Sequence, residues 1–441
     1  MQGYQEENQM QFLCNGLKEI LNPRNALYQL ASKIPWQELE EELSKHYVVD
    51  WGRPAKPIRL MVSLLLLKQL FNASDERAVA IWSENPYWQY FSGEQELKWG
   101  EPCEASDLVH FRNRIGEKGI EKIFKMTIKL HGKKALEKEI LIDTTVQEKN
   151  ITYPTDTKQC SKIIKKCVKI AKEEGIKLRQ TYKRVSKKLV FLQRGRGKKN
   201  GNKKAKKATR KLMTISGRLV RELDRKLSKQ TNKNHEGKLS VFKRFLQQKK
   251  SDKNKIYSLH ETDVYCISKG KEHKKYEFGS KVSIAQTIKT GIIVGALNHK
   301  ENKYDGHTVE EVLEHVKGVR GTCPEIAITD QGYRGRKQIG TTKIINPGDL
   351  KKKRLTKYQR QKIRKQLRRR AGIEPSIGHL KSDYRLSRNY LKGVKGDVIN
   401  VMLSASAWNL NKLIMEIREA MLFFKKYFWK YFMFLKFENK I

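Results

Sequence analysis

Hydrophobic positions follow three regimes along the chain. From 36 to 130 they recur at helical spacing. The run IRLMVSLLLLKQL predicts a strongly apolar helix near 57–71. Asn72-Ala73-Ser74 predicts a turn, with Ser74 or Asp75 capping the next helix. NPYWQYFSGE reads as an aromatic-rich loop broken by Pro86, and Ser106 as the N-cap of a further helix. A helical domain over 36–130 is expected, after an N-terminal extension over 1–35. Two helices across a short turn match a helix-turn-helix, or more plainly a helical bundle.

The second regime has period two. Residues 138–153 predict strand, turn, strand, with Ile140-Leu141-Ile142 leading to Asp143. The pattern resumes at 256. DVYCISKGK predicts one strand, and YEFGSKVSIAQTIKTGIIVGALNHK a long hairpin turning at Thr290-Gly291. HTVEEVLEHVKGV predicts a helix with Thr308 as N-cap, EIAITDQGYRG a strand leading to Asp330, and TKIINPG a short strand. The apolar VINVMLSASAWNLNKLIMEI closes this α/β region as a helix. The parts expected to form one α/β domain are 138–157 and 256–412, followed by an aromatic and basic terminal helix over 413–441.

The third regime interrupts the second. Residues 158–255 carry 35 Lys+Arg against 6 Asp+Glu, with apolar residues near every third or fourth position. Two amphipathic helices are expected, joined by a mobile basic loop, RGRGKKNGNKKAKKATR. The lysines Lys203, Lys204, Lys206 and Lys207 suit a phosphate-tracking arm; a solvated helical hairpin is the plainer reading.

Charge changes the picture most. The 441 residues hold 93 Lys+Arg against 47 Asp+Glu, a formal charge of +46. Such a surplus seeks a polyanion, and nucleic acid is the leading partner because bound phosphates release counterions. The six cysteines form no C-x-x-C pair, so they read as reduced thiols of a cytosolic protein. No histidine spacing suggests zinc, and no Gly-rich phosphate loop suggests ATP. The N-terminus lacks the features of a signal peptide. Lysines interrupt the aromatic tail MLFFKKYFWKYFMFLKF, which reads as an amphipathic helix packed on the body and not a membrane span. A cytoplasmic, nucleoid-associated protein is expected.

Within this basic chain, Asp143 and Asp330 each follow an apolar strand, and Glu374 stands near the start of a probable helix. Three converging acids suit hard divalent ions, Mg²⁺ or Mn²⁺, which take oxygen ligands and keep positions open for phosphate oxygens. Two such ions would activate a hydroxyl nucleophile and stabilise the leaving oxygen.

The segments IDTTVQEKNITYPTD, KGKEHKKYEFGSKVSI, YDGHTVEEVLEHV, ITDQGYRG and RRRAGIEPSIGHLKSDYRLSRNYLKG resemble the DDE transposases of bacterial insertion sequences, in particular the insertion-sequence-five branch. GRPAKPIRLMVSLLLLKQLFNASDE and NPYWQYFSGE are similar to that branch's helical N-terminal domain. The resemblance covers roughly 36–412, in order. It implies an α/β fold: an RNase H-like mixed five-stranded sheet with flanking helices, preceded by a helical domain and interrupted by the basic insertion. It assigns catalysis and metal binding to Asp143, Asp330 and Glu374. From a Tyr-Arg-Glu-Lys signature it implies that Arg370 and Lys381 contact DNA phosphate. The signature's Tyr position is Leu367 here, and Pro375 suggests that Arg370 and Glu374 do not share one continuous helix.

Other acids have plainer readings. Asp156 suits a turn, and Glu148 lies on the opposite strand face from Asp143. Asp305 and His307 start a helix, as caps or as support for the site. Glu261, Asp263 and Glu277 suit pairing with lysines, and Asp383 with Arg385 or Arg388. The expected function is cleavage of DNA at the terminal inverted repeats of an element and joining of the 3′-hydroxyl to target DNA, by a homodimer in the synaptic complex. A nuclease of the same fold without joining, and a decayed or non-catalytic DNA-binding protein, are the alternatives.

Overall fold

The computed structural model describes residues 16–48, 54–268, 275–333, 335–351 and 355–438, without the side chains of 229, 232 and 423–438. The chain divides into two compact units, one built from residues up to Glu148 and from Lys281, the other from Lys149–Ser280.

The larger unit opens with helices α1 Leu17–Ile20, α2 Ala26–Lys33 and α3 Trp36–Ser44. The Asn25 side chain caps α2 by accepting from the Leu27 and Tyr28 amides. Leu30, Ala31 and Ile34 join the main core. The helical region therefore begins about twenty residues before the expected 36, inside what the sequence suggested was an extension. Helix α4, Ile58–Leu70, is dominated by apolar residues on every side, with Lys68 and Gln69 near its end, and is buried along nearly its whole length. A helix of that kind is a core element, which favours the bundle reading over an exposed helix-turn-helix.

Ser74 caps α5, Asp75–Glu84, by accepting from the Arg77 amide. Pro86 does not break a loop. It occupies the first turn of a short helix, α6 Pro86–Phe91, where its missing N–H costs nothing, and Asn85 caps it. Helix α7, Ala105–Lys129, starts two residues earlier than an N-cap at Ser106 would place it: Glu104 is the N-cap, and Glu104 and Asp107 form a reciprocal capping box. Gly116 kinks α7 at φ 60°.

Strand β1, Glu139–Lys149, is one continuous strand of 11 residues. The turn expected within 138–153 is absent, because Thr144, Thr145 and Val146 extend the strand beyond Asp143. The remaining strands are β2 Tyr265–Ser268, β3 Tyr276–Thr287, β4 Ile293–His299, β5 Ile326–Ile328, β6 Gln338–Ile339, β7 Thr342–Ile345 and β8 Arg388–Asn389. In the larger unit β4 pairs antiparallel with β3, and β3 neighbours β1. Parallel pairing then runs β1 to β5 to β7. This is a mixed five-stranded RNase H-like sheet, to which β6 and β8 are short additions. The hairpin turn falls as expected, with Gly291 at φ 68°.

Helices α12 Asp305–Arg320, α13 Lys357–Arg370, α14 Ile373–Ser382 and α15 Gly393–Glu438 complete the unit. Both α12 and α15 pack on β4. A Cβ at Gly295 would lie 2.7 Å from Val316 Cγ2, so the close approach of β4 and α12 requires glycine. Asn409 on α15 accepts from the Ile293 amide and donates to the Ile293 carbonyl, satisfying polar backbone at the start of β4. The aromatic side chains on which the packing of the tail turns lie outside the described residues.

The smaller unit has its own core. Helices α8 Asp156–Glu173, α9 Lys183–Phe191, α10 Gly201–Lys226 and α11 Lys229–Gln247 place Cys160, Ile164, Leu212, Leu219, Phe242 and Phe245 against one another. Strand β2 pairs antiparallel with residues Tyr276–Gly279 of β3. Among the described residues the insertion thus holds four α-helices, where two and a mobile loop were expected. The lysine-rich stretch is the start of α10. Ala205, Ala208 and Leu212 form a buried stripe there, and Lys203, Lys204, Lys206 and Lys207 stand exposed around it. Alanine is small enough that the stripe is hard to see among lysines. At the entry to α10, a Cβ at Gly201 would lie 1.7 Å from the Gly195 carbonyl oxygen, so this glycine permits a tight turn and not a mobile loop.

Candidate active site

Parallel pairing sets the first two acids. Leu141 on β1 is in register with Ile328 on β5. Asp143 and Asp330 each lie two residues further on. Asp143 is still within β1, whereas Asp330 lies just past the end of β5, so both stand at the same end of neighbouring strands. Asp143 Oδ1 accepts from the Thr144 amide at 2.7 Å, and Asp330 Oδ1 from the Gln331 amide at 2.6 Å.

Helix α13 brings the cation. Gln366, Arg369 and Arg370 lie on one helical face, at i, i+3 and i+4. Gln366 Nε2 donates to Glu139 Oε1 at 2.8 Å, and Arg369 Nη1 is 3.9 Å from Glu139 Oε2. Glu139 and Asp143 share a face of β1, so the same docking carries Arg370 to Asp143, with Nη1 3.7 Å from Oδ2. Arg370 Nη2 lies 3.9 Å from Asp330 Oδ1 and donates to Glu374 Oε1 at 3.1 Å. One guanidinium therefore faces all three acids.

Glu374 belongs to the first turn of α14, whose N-cap is Gly372. Helices α13 and α14 are separate, as Pro375 suggested, and Pro375 occupies the third position of α14. The break at Ala371-Gly372 lets Glu374 turn back to Arg370.

Beneath these groups lies a second layer. Asp305, the first residue of α12, accepts from Thr144 Oγ1 at 3.0 Å and from Lys281 Nζ at 2.9 Å. Tyr333 is 2% exposed. Burial, then the charges of Asp305 and Asp143, push its phenol well above the usual range, which keeps it neutral. Asp305 is thus tied to the neighbour of Asp143. Lys281, Tyr333, Glu139 and Gln366 were not read as site residues. Lys281 and Tyr333 stand inside the segments GSKVSI and ITDQGYRG, whereas nothing in the sequence distinguishes Gln366 from its polar neighbours.

The other acids have local roles. Asp383 accepts from His379 Nδ1 at 2.8 Å, and not from Arg385 or Arg388. The Ser382 hydroxyl, then His379, lower its pKa. Glu261 faces the buried Lys149 at 3.6 Å within the smaller unit. Asp156 is the first residue of α8. Lys381 lies in the last turn of α14, seven residues beyond Glu374.

Among the described residues no group of three or more His, Cys, Asp or Glu side chains stands close enough to hold a metal ion. The three acids are nonetheless oxygen-only donors gathered around a single positive group. That chemistry fits a hard divalent cation.

Comparison with known proteins finds matches over two stretches of the chain. Residues 15–114 match a family model described as a transposase domain (DUF772), and residues 243–410 match one described as the transposase DDE domain. The second match includes Asp330, Arg370, Glu374 and Lys381. A Rhizobium meliloti protein described as uncharacterized protein ORF8 in the nfe locus is 41% identical over 177 residues, spanning 39% of this chain and 84% of the relative. No solved structure matches. The chain belongs to the DDE transposases of insertion sequences, enzymes whose substrate is DNA. Among the described residues no helix is long and apolar enough to cross a membrane.

Proposed function

We propose that this transposase, of the insertion-sequence-five branch, cuts DNA at the terminal repeats of its own element and joins the freed 3′-hydroxyl to target DNA. The observation that carries the reading is the convergence of Asp143, Asp330 and Glu374, from three separate elements, on the single guanidinium of Arg370.

In this reading the three carboxylates hold Mg²⁺ or Mn²⁺, two ions when fully loaded. The bound ions supply Lewis acidity and a hydroxyl nucleophile at neutral pH. The residues themselves supply position. Strand β1 carries Asp143, the chain just past β5 carries Asp330, and the first turn of α14 carries Glu374. Arg370 neutralises the acids before substrate arrives and offers its fork to a phosphate afterwards, since guanidinium pairs equally well with either oxyanion. Lys381 adds a point charge on α14. Tyr333 and the Lys281–Asp305 pair keep the floor of the site packed.

Hydrolysis and joining need the same acids, because both are displacements at phosphorus by an oxygen nucleophile. Synapsis of two element ends calls for a homodimer. The lysines of α10 bind flanking phosphate without reading sequence. The reading is tested by incubating the full chain with its element ends and Mg²⁺ or Mn²⁺, beside Asp330→Asn. Metal-dependent nicks and joined products that disappear in the variant support it.

A further inference from the structure

A cavity of about 840 Å³ opens within the larger unit, away from the three acids. Its walls are the end of α4, the start of α5, α7, and the segment between α14 and α15. Its floor is a buried charge cluster. Asp75 accepts from Lys68 at 2.6 Å and from both terminal nitrogens of Arg112, at 2.9 and 2.6 Å. Lys68 is 6% exposed and Arg112 4%. Two cations thus share one carboxylate in a place where unbalanced charge is expensive. Burial first, then the charges of Arg112 and Arg385, bring Lys68 down to about 8.

The rim adds to the surplus. Arg388, Lys392 and Lys395 line the cavity and stand exposed. Among the described residues none of the three is in an ion pair with a carboxylate. Against the six cations of floor and rim, the lining holds only the acids Asp75 and Glu76. Arg385 holds a left-handed backbone, φ 63°, with its guanidinium 5.5 Å from the centre of the Tyr390 ring and Nη1 donating to the Asn72 carbonyl at 3.3 Å. Tyr390 is 58% exposed, an aromatic surface beside concentrated positive charge.

We propose that this cavity is a second DNA contact, a seat for the sugar–phosphate backbone flanking the cut. Charge complementarity selects the ligand: the lining carries four more cations than acids, and Tyr390 offers apolar surface to a sugar. The inference rests on the DNA-transposase reading for its partner but not on the chemistry of the three acids. Helix α14 runs from the acids toward the cavity wall. Its ten residues rise about 15 Å at ~1.5 Å each.

The test is fluorescence anisotropy with a labelled duplex of the element end, across a salt series. It compares the full wild-type chain with Asp330→Asn and with a triple variant, Arg388→Gln, Lys392→Gln and Lys395→Gln. The three rim side chains are exposed, and a thermal melt confirms that the variant folds. The expected slope of log affinity against log salt is shallower in the triple variant by about 2.7, at ~0.9 per lost phosphate contact. Its affinity at 0.1 M salt is expected to fall at least tenfold, while Asp330→Asn keeps the wild-type slope. A folded triple variant with wild-type slope and affinity overturns the inference. Wild-type binding that is steep and lost in the triple variant, without metal-dependent cleavage by the wild type, upholds this contact and overturns the catalytic reading instead.

Discussion

Arg370 and Glu374 lie across a helix break from one another, yet Arg370 Nη2 donates to Glu374 Oε1 at 3.1 Å. The same guanidinium is 3.7 Å from Asp143 and 3.9 Å from Asp330. Arg370 is therefore the counterion of the acid cluster, and under the proposed function a metal ion would compete with it for the same carboxylates. Arg370→Gln is expected to tighten Mn²⁺ binding several-fold in the absence of DNA, measured by titration calorimetry. The same variant is expected to cleave DNA more slowly, because the phosphate loses its fork. Unchanged or weaker Mn²⁺ affinity would count against the competition.

Helix α13 is held to β1 by Gln366 and Arg369, both on Glu139. Gln366 is buried, and Gln366→Ala deletes one hydrogen bond to a charged partner. A loss of about 1–3 kcal/mol in stability is expected. The loss of cleavage rate is expected to exceed what the stability change explains at a temperature where the variant is fully folded. Urea unfolding and single-turnover cleavage read the two effects separately.

Asp305 faces Lys281, whose side chain is only 10% exposed. Asp305→Asn removes the charge and leaves the lysine beside a neutral amide. The expected outcome is a fall in melting temperature and in cleavage, with DNA affinity retained. Since Asp305 is about a third exposed, the stability loss is expected below the 3–5 kcal/mol typical of a fully buried broken pair. Wild-type melting in this variant would remove Asp305 from the supporting layer.

Asp75 gives the fold an acid-sensitive joint. Burial pushes its carboxyl up, but Arg112 and Lys68 outweigh this and bring it down to about 2. A folded value below the ordinary 3.8 means the stabilisation is present above about pH 4 and is lost as pH falls toward 2. The contribution is on the order of 2 kcal/mol. Lys68 has the opposite consequence. Its folded value near 8 lies below the ordinary 10.5, so the unfolded chain binds more protons between them. This residue's contribution to stability accordingly rises with pH across that window. Melting curves at pH 2–5, with Asp75→Asn as the comparison, should show a steeper drop in the wild type than in the variant.

Sheet and hairpin were legible because strand periodicity is a strong signal when one face is buried. Ile140-Leu141-Ile142, the Gly291 turn and Ile326–Ile328 all fall where the pattern puts them. Asp143 and Asp330 were named because apolar strands led to them and Glu374 because it stood near the start of a probable helix, and the resemblance assigned all three their role. What the sequence hid was tertiary. The stripe Ala205-Ala208-Leu212 is too small in side-chain volume to stand out among lysines, so α10 read as a loop. Arg370 read as a phosphate contact because the cluster of acids around it exists only once α13 docks on Glu139. The Lys68–Asp75–Arg112 cluster forms only when Arg112, 37 residues beyond Asp75, folds back onto helices that looked like ordinary core.

The lysines of α10 provide a further test of the insertion. Replacing Lys203, Lys204, Lys206 and Lys207 by Gln preserves helix-forming residues on the exposed face. Weaker DNA binding is expected, with a salt slope shallower by about 3.6 if all four meet phosphate and with sequence preference unchanged. Circular dichroism should be unaltered. Salt dependence identical to the wild type would leave α10 a solvated helix and no arm.

The most direct measurement of the central claim is a strand-cleavage and joining assay with the element ends and Mg²⁺ or Mn²⁺, comparing wild type with Asp330→Asn. The account predicts metal-dependent nicks with 3′-hydroxyl ends and joined products in the wild type, and neither in Asp330→Asn, which still binds DNA. Metal-dependent nicking and joining at wild-type rates by Asp330→Asn, or tight DNA binding with no product from the wild type under either metal, would contradict it.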